Sequence, residues 1–235
     1  MRNVFVRGAL SGAAAGLLTS VAAYFFVEPV LSAAIALEGP ADEAAPVSRQ
    51  TQTLLGMPAG FVLAGIALGL LFAVAYRVLP SMAPPWRRSV GLAAGGFAAL
   101  ALIPALRYPA NPPGVGDPET IAGRTSSYLL AVALGVVVVA GAYAALRALA
   151  ARGVTPAVRQ SAVTAAALLV TAIGFALLPD IVDPVNAPAA LVYDFRVRSL
   201  GLLALLYATL GAGFGALTLQ QDSASTRTDT SRPLV

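Results

Sequence analysis

Apolar residues run along this chain in long blocks, and charges mark where the blocks end. Six uncharged runs occupy 8–27, 50–76, 89–106, 125–146, 160–179 and 199–221. Each reaches the roughly 18–20 residues that a helix needs to cross about 30 Å of hydrocarbon. A transmembrane barrel would instead show segments of about ten residues alternating in polarity, and these runs are apolar on every side. The pattern predicts an all-α, polytopic helical membrane protein with spans over about 8–27, 57–79, 89–106, 126–146, 160–179 and 199–220. Together they form one six-helix transmembrane domain over 1–221. The Ser/Thr-rich tail 222–235 is expected to be disordered and cytoplasmic.

The junction from Arg107 to Tyr128 differs most from its surroundings. Its four prolines (Pro109, Pro112, Pro113, Pro118) fix φ and disfavour helix in the residues before them, so a stiff loop is expected. Laid over the later loop at an offset of 75, Pro104 falls on Pro179, Pro109 on Pro184, Asn111 on Asn186 and Pro113 on Pro188. This echo points to parallel two-helix repeats, spans three-four and five-six, related by an axis along the membrane normal. Chance agreement between proline-rich loops is the alternative. Gly12 with Gly16, and Gly65 with Gly69, are small-xxx-small pairs that let helices approach closely. The first run also fits a signal peptide with Ser32-Ala33-Ala34 as a cleavage region. Its length, and the apolar sequence from Glu28-Pro29 to Leu37, favour an uncleaved span.

Composition agrees: 58% of residues are hydrophobic, 11% are charged, and mean hydropathy is +0.79. A soluble domain carries about a quarter charged residues. The net charge of +4 comes from dispersed arginines, which read as a topology signal and not as a nucleic-acid surface. With the N-terminus inside, Arg2, Arg7, Arg77, Arg87, Arg88, Arg147, Arg152, Arg159, Arg227 and Arg232 fall on the cytoplasmic side. Arg49, Arg107, Arg124, Arg196 and Arg198 fall outside, a split of ten to five that predicts both termini cytoplasmic.

The chain contains no cysteine, histidine or lysine. Thiolate and imidazole metal sites, Ser-His catalysis and a phosphate-loop lysine are therefore excluded, and no enzymatic activity is expected. Oxygen ligands remain. Glu28, beside Pro29 at the end of the first span, is one candidate. Asn111, Asp117 and Glu119 form a set in the central loop, and Asp180, Asp183 and Asn186 form another in the last. Carboxylate and amide oxygens suit hard divalent cations and hold softer ones weakly, as rapid release requires. Structural ion pairs with Arg107, Arg124, Arg196 and Arg198 are the competing reading.

Three stretches carry a family resemblance. Phe26-Val27-Glu28-Pro29-Val30-Leu31-Ser32-Ala33-Ala34-Ile35, the central Tyr108-Pro109-Ala110-Asn111-Pro112-Pro113-Gly114-Val115-Gly116-Asp117-Pro118-Glu119-Thr120-Ile121 with Arg124-Thr125, and Asp194-Phe195-Arg196-Val197-Arg198-Ser199-Leu200-Gly201 resemble CbtA proteins, probable cobalt transporter subunits. The resemblance covers roughly 1–220. It implies a multi-pass subunit in the bacterial cytoplasmic (inner) membrane, in contact with the lipid bilayer, for uptake of cobalt(II) linked to cobalamin metabolism. It also implies a small histidine-containing partner of the CbtB type; this chain itself supplies no imidazole. No permanently bound cofactor and no nucleic acid is expected. On this reading Glu28, Asn111, Asp117 and Glu119 line an outward vestibule for the metal, with Arg124 and Arg196 as orienting partners. The alternatives are a non-transporting scaffold whose proline-rich outer loops dock a partner, or a transporter of another solute.

Overall fold

Every regular element among the described residues of the computed structural model is helical. The structure describes residues 2–37, 47–81, 83–116, 118–181 and 185–230. Among these residues seven helices follow in order: α1 (Arg2–Phe26), α2 (Glu28–Ile35), α3 (Arg49–Val78), α4 (Pro85–Arg107), α5 (Ile121–Ala151), α6 (Pro156–Leu177) and α7 (Ala189–Thr230). All except the short α2 provide a stretch long and apolar enough to cross a membrane, that of α7 being Ala189–Gln220. The chain is thus a multi-pass helical membrane protein.

The helices run further than the uncharged blocks. α3 starts at Arg49, well before Met57; α5 takes in Arg124 and Arg147; α7 takes in Asp194, Arg196 and Arg198. Arginine does not interrupt helical geometry, because its long side chain carries the charge away from the axis. Helices end where the backbone itself changes. α5 stops at Gly153, whose φ of 74° turns the chain so that the Val154 N–H donates to the Leu149 carbonyl at 3.1 Å. α6 opens with Pro156 in its first turn. The α7 backbone continues beyond the expected boundary at 221, and no glycine or proline lies between Gly215 and Pro233 to stop it.

Two prolines bend the hydrogen-bond ladder in the same manner. Pro58 and Pro104 have no N–H to give to the carbonyls four residues earlier, and each is preceded by a π turn, Gln52–Gly56 and Ala98–Leu102. Met57 N–H then reaches back to Gln52 O, and Ile103 N–H to Ala98 O. The wider turn absorbs the missing bond.

The chain divides into two compact units, 1–29 with 39–94 and 201–235, and 30–38 with 95–200. In the first, α1 and α3 pack backbone to backbone in antiparallel sense. A Cβ added to Gly8 would lie 2.3 Å from the Gly69 carbonyl oxygen, one on Gly12 2.1 Å from that of Gly65, and one on Gly16 2.2 Å from that of Phe61. Only glycine permits this approach, which is the close helix contact that small residues allow in lipid. Leu210 and Phe214 of α7 are fully buried in this unit, and Phe214 meets Phe72 and Tyr76 with ring centroids 5.1 and 4.8 Å apart. The Ser89 hydroxyl donates to the Gly211 carbonyl at 2.7 Å.

The second unit is built on α5. Gly135 admits the Ala99 backbone of α4, where a Cβ would come within 2.2 Å of the Ala99 carbonyl oxygen, and Gly174 of α6 meets the Leu134 side chain. The proline loop between α4 and α5 belongs to this unit, as does the chain between α6 and α7.

Candidate functional site

The candidate site lies in the second unit, where α4 ends, α5 begins and α7 sets out. Helix restarts at Ile121 after a 3-10 turn over Pro118–Thr120, so Arg124, Thr125 and Tyr128 of the expected loop are helical. Between Tyr108 and Gly116 the chain turns with Val115 N–H donating to the Pro112 carbonyl at 3.2 Å. Gly114 and Gly116 take φ values of 74° and 138°, conformations that strain any other residue. Pro112 and Val115 are buried beneath this turn.

Arg107, the last residue of α4, ties the loop to the chain after α6. Its Nη2 donates to Oδ1 of Asp180 and to the carbonyls of Leu178 and Pro179, the latter two at 3.1 and 3.3 Å. The Tyr108 hydroxyl donates to the Pro179 carbonyl at 2.6 Å. The two loops that echo each other in sequence are therefore laced together. Further on, Arg196 Nη2 donates to Oδ1 of Asn111 at 2.6 Å, and Arg196 Nε to the Ala110 carbonyl at 3.3 Å.

These contacts frame a cavity of about 550 Å³. Arg107, Arg124 and Arg196 line it, with Asn111, Tyr108 and Tyr128 adding amide and phenol groups and Ile121, Ile181 and Val185 supplying apolar wall. The Tyr128 hydroxyl lies 3.5 Å from the Leu100 carbonyl, the acceptor that Pro104 leaves open. No carboxylate lines the cavity among the described residues. Guanidinium, phenol and amide groups give a lining rich in hydrogen-bond donors.

The expected vestibule residues fall in different surroundings. Asn111 lines the cavity, but its Oδ1 accepts from Arg196. Glu119 is exposed on the 3-10 turn, and Asp117 lies outside the described residues, as does Asp183. Glu28 belongs to the first unit, where it opens α2; its Oε1 accepts from Arg49 Nη2 at 2.6 Å and from the Thr53 hydroxyl at 3.0 Å. The Glu28 side chain keeps 14% of its accessible surface, so Arg49 and Thr53 largely replace water around it. Asp194 pairs with Arg198 one turn along α7 at 3.0 Å. Among the described residues no three Asp or Glu side chains come together in a metal-binding group. Of the orienting arginines, Arg196 does hold Asn111, and Arg124 lines the same cavity. Arg107, Tyr108 and Tyr128 were not expected as lining residues. Their common signal is a polar or aromatic group within about three turns of a proline-rich break, which also describes ordinary interfacial anchors.

The model of one protein family, described as "Probable cobalt transporter subunit (CbtA)", matches residues 1–219. No curated protein and no solved structure matches the chain.

Proposed function

The chain belongs to the CbtA family of probable cobalt transporter subunits, and on that premise we propose that it forms the membrane path for cobalt(II) uptake together with a second, small, histidine-bearing membrane subunit. The observation that carries this reading is the family match over nearly the whole chain, joined to six helices able to cross a bilayer. A cobalt ion in transit is substrate, and the ligands that pass it on must bind weakly enough to let go. Histidine, the commonest transition-metal ligand, is missing from the sequence. Oxygen ligands here and imidazole on the partner divide the work: the former accept and release quickly, the latter hold.

In this proposal both termini are cytoplasmic, following the arginine split, and Glu28, Asn111, Asp117 and Glu119 face the incoming ion. Glu28 and Asn111 each accept a hydrogen bond from an arginine. A divalent ion reaching the Glu28 carboxylate, or one carried to Asn111 by its own anionic ligands, displaces a guanidinium, and the returning guanidinium speeds release. Arg49 and Arg196 thereby act as resident place-holders that keep affinity low.

Cellular cobalt-57 accumulation in a strain lacking other cobalt uptake tests the reading, with the chain expressed alone and with the small partner. Accumulation that requires the chain, and rises further with the partner, is expected. Background accumulation with both subunits correctly inserted would remove cobalt as the substrate and turn attention to a scaffold role or another solute.

A further inference from the structure

Among the described residues, the charged groups that line the cavity of the second unit are all cationic. Three guanidiniums, on the end of α4, the first turn of α5 and the early part of α7, surround it, and no carboxylate does so among the described residues. Asp180 compensates Arg107 but does not itself line the cavity, and its side chain stays 90% exposed. A divalent metal ion entering alone meets like charge. An anion meets donors already in position.

Two of those donors are pre-set. Arg107 is held through Nη2 by Asp180 and two carbonyls, and Arg196 through Nη2 and Nε by Asn111 and Ala110. Guanidiniums fixed in this way lose little freedom on meeting an oxyanion, and their planar fork suits carboxylate or phosphate oxygens. A second, independent observation concerns Arg107. Its Nε is buried and finds no acceptor among the described residues. A buried donor without an acceptor is costly in a folded protein, and a ligand oxygen is one way to satisfy it.

We propose that this cavity binds a small polycarboxylate, and that cobalt(II) reaches the protein as a complex with such an anion. This deepens the transport reading above and rests on it for the metal alone. The size supports a molecule over a single ion, since about 550 Å³ falls within the roughly 300–1,000 Å³ of small-molecule sites. Oxyanion chemistry also describes a lipid phosphate. Arginines on three separate helices suit an anion with several charged groups better than the single phosphodiester of a headgroup. A polycarboxylate also has oxygens to spare for the metal, whose positive charge it screens from the guanidiniums.

The test uses the full-length protein in nanodiscs, titrated calorimetrically with citrate, cobalt(II)-citrate, inorganic phosphate and cobalt(II) chloride. Nanodiscs of phosphatidylcholine alone are compared with discs containing phosphatidylglycerol. Saturable binding of citrate and its cobalt complex is expected in phosphatidylcholine, at least about tenfold weaker in Arg124→Gln and Arg196→Gln and unchanged in Arg198→Gln, whose partner Asp194 lies outside the cavity lining. Arg196→Lys keeps the charge and is expected to retain binding better than Arg196→Gln, which separates ligand recognition from support of the loop. No citrate binding by the wild-type protein would overturn the proposal. So would citrate binding that survives both glutamine variants, or phosphatidylglycerol or phosphate abolishing citrate binding at equal concentration, which would assign the site to a phosphate group. Because binding is read without transport, citrate binding in a protein that accumulates no cobalt would refute the transport reading and leave the cavity assignment standing. Accumulation of cobalt with no citrate binding would do the reverse.

Discussion

Arg196 donates through Nη2 to Oδ1 of Asn111 at 2.6 Å while its Nε reaches the Ala110 carbonyl at 3.3 Å, so one guanidinium on α7 fastens the proline loop at two successive residues. A hydrogen bond from a charged donor contributes about 1.5–3 kcal/mol. Asn111→Ala removes the first of these bonds and leaves the guanidinium with one. Faster amide hydrogen exchange is expected across residues 109–116, with exchange in α1 unchanged, since α1 belongs to the other unit. Unaltered protection of the loop in the variant would show that it is held without the Arg196–Asn111 bond.

The glycine contacts between α1 and α3 give a sharper expectation. A methyl group on Gly12 or Gly65 has a backbone carbonyl oxygen 2.1 or 2.3 Å away, whereas one on Gly60, Gly91 or Gly141 meets nothing within 4 Å. Overpacking costs typically about 1–3 kcal/mol, and the rigid partner here is backbone. Gly12→Ala and Gly65→Ala should lower the thermal midpoint in detergent by several degrees, and Gly60→Ala should leave it near that of the parent. Equal behaviour of the two classes would argue against the α1–α3 contact.

Glu28 sets a smaller effect. Its pair with Arg49 is partly open to water, with the arginine side chain 42% exposed, so a double-mutant cycle of Glu28→Gln and Arg49→Gln should give a coupling of about 1 kcal/mol or less. Glu28→Gln keeps an acceptor for Thr53, and Glu28→Leu does not. Thermal unfolding should therefore rank Glu28→Leu below Glu28→Gln, and the opposite order would show that the carboxylate is held for some purpose other than anchoring α3.

Pro104 offers a test of the π turn. Pro104→Ala restores an N–H for the Leu100 carbonyl, and a regular α turn then competes with Ala98–Leu102. Such a change re-aims Arg107, three residues on. Amide hydrogen exchange across residues 106–111 should be faster in Pro104→Ala than in the parent, because Arg107 and Tyr108 then lose their register with the carbonyls of Leu178 and Pro179. Equal exchange would mean that the turn does not position the loop.

The six spans and their glycine contacts were legible because both depend on residue type within one or two helices. Gly12 and Gly65 needed only their spacing to be noticed. The helix ends were not, because charges mark where a chain leaves lipid and prolines and glycines mark where it leaves helix. Arg124 and Arg196 satisfy the first condition while remaining helical. The site was read only in part for a different reason. Asp180 pairs with Arg107, and Asn111 with Arg196, across 73 and 85 residues of sequence; no local pattern says which carboxylate or amide is met by which arginine. Residues that looked like cation ligands one by one thus include oxygens turned to guanidiniums. Tyr108 and Tyr128 line the cavity, a role that the local sequence of neither residue marks.

The central claim is cobalt movement, and proteoliposomes test it most directly. The chain and its small partner would be reconstituted around a cobalt-quenched dye, and the initial quench rate followed after adding cobalt(II) with citrate. The account predicts a saturable rate that needs the chain and falls in Glu28→Gln and Asp117→Asn at matched protein content. A rate indistinguishable from protein-free liposomes, with both subunits correctly inserted, would contradict it.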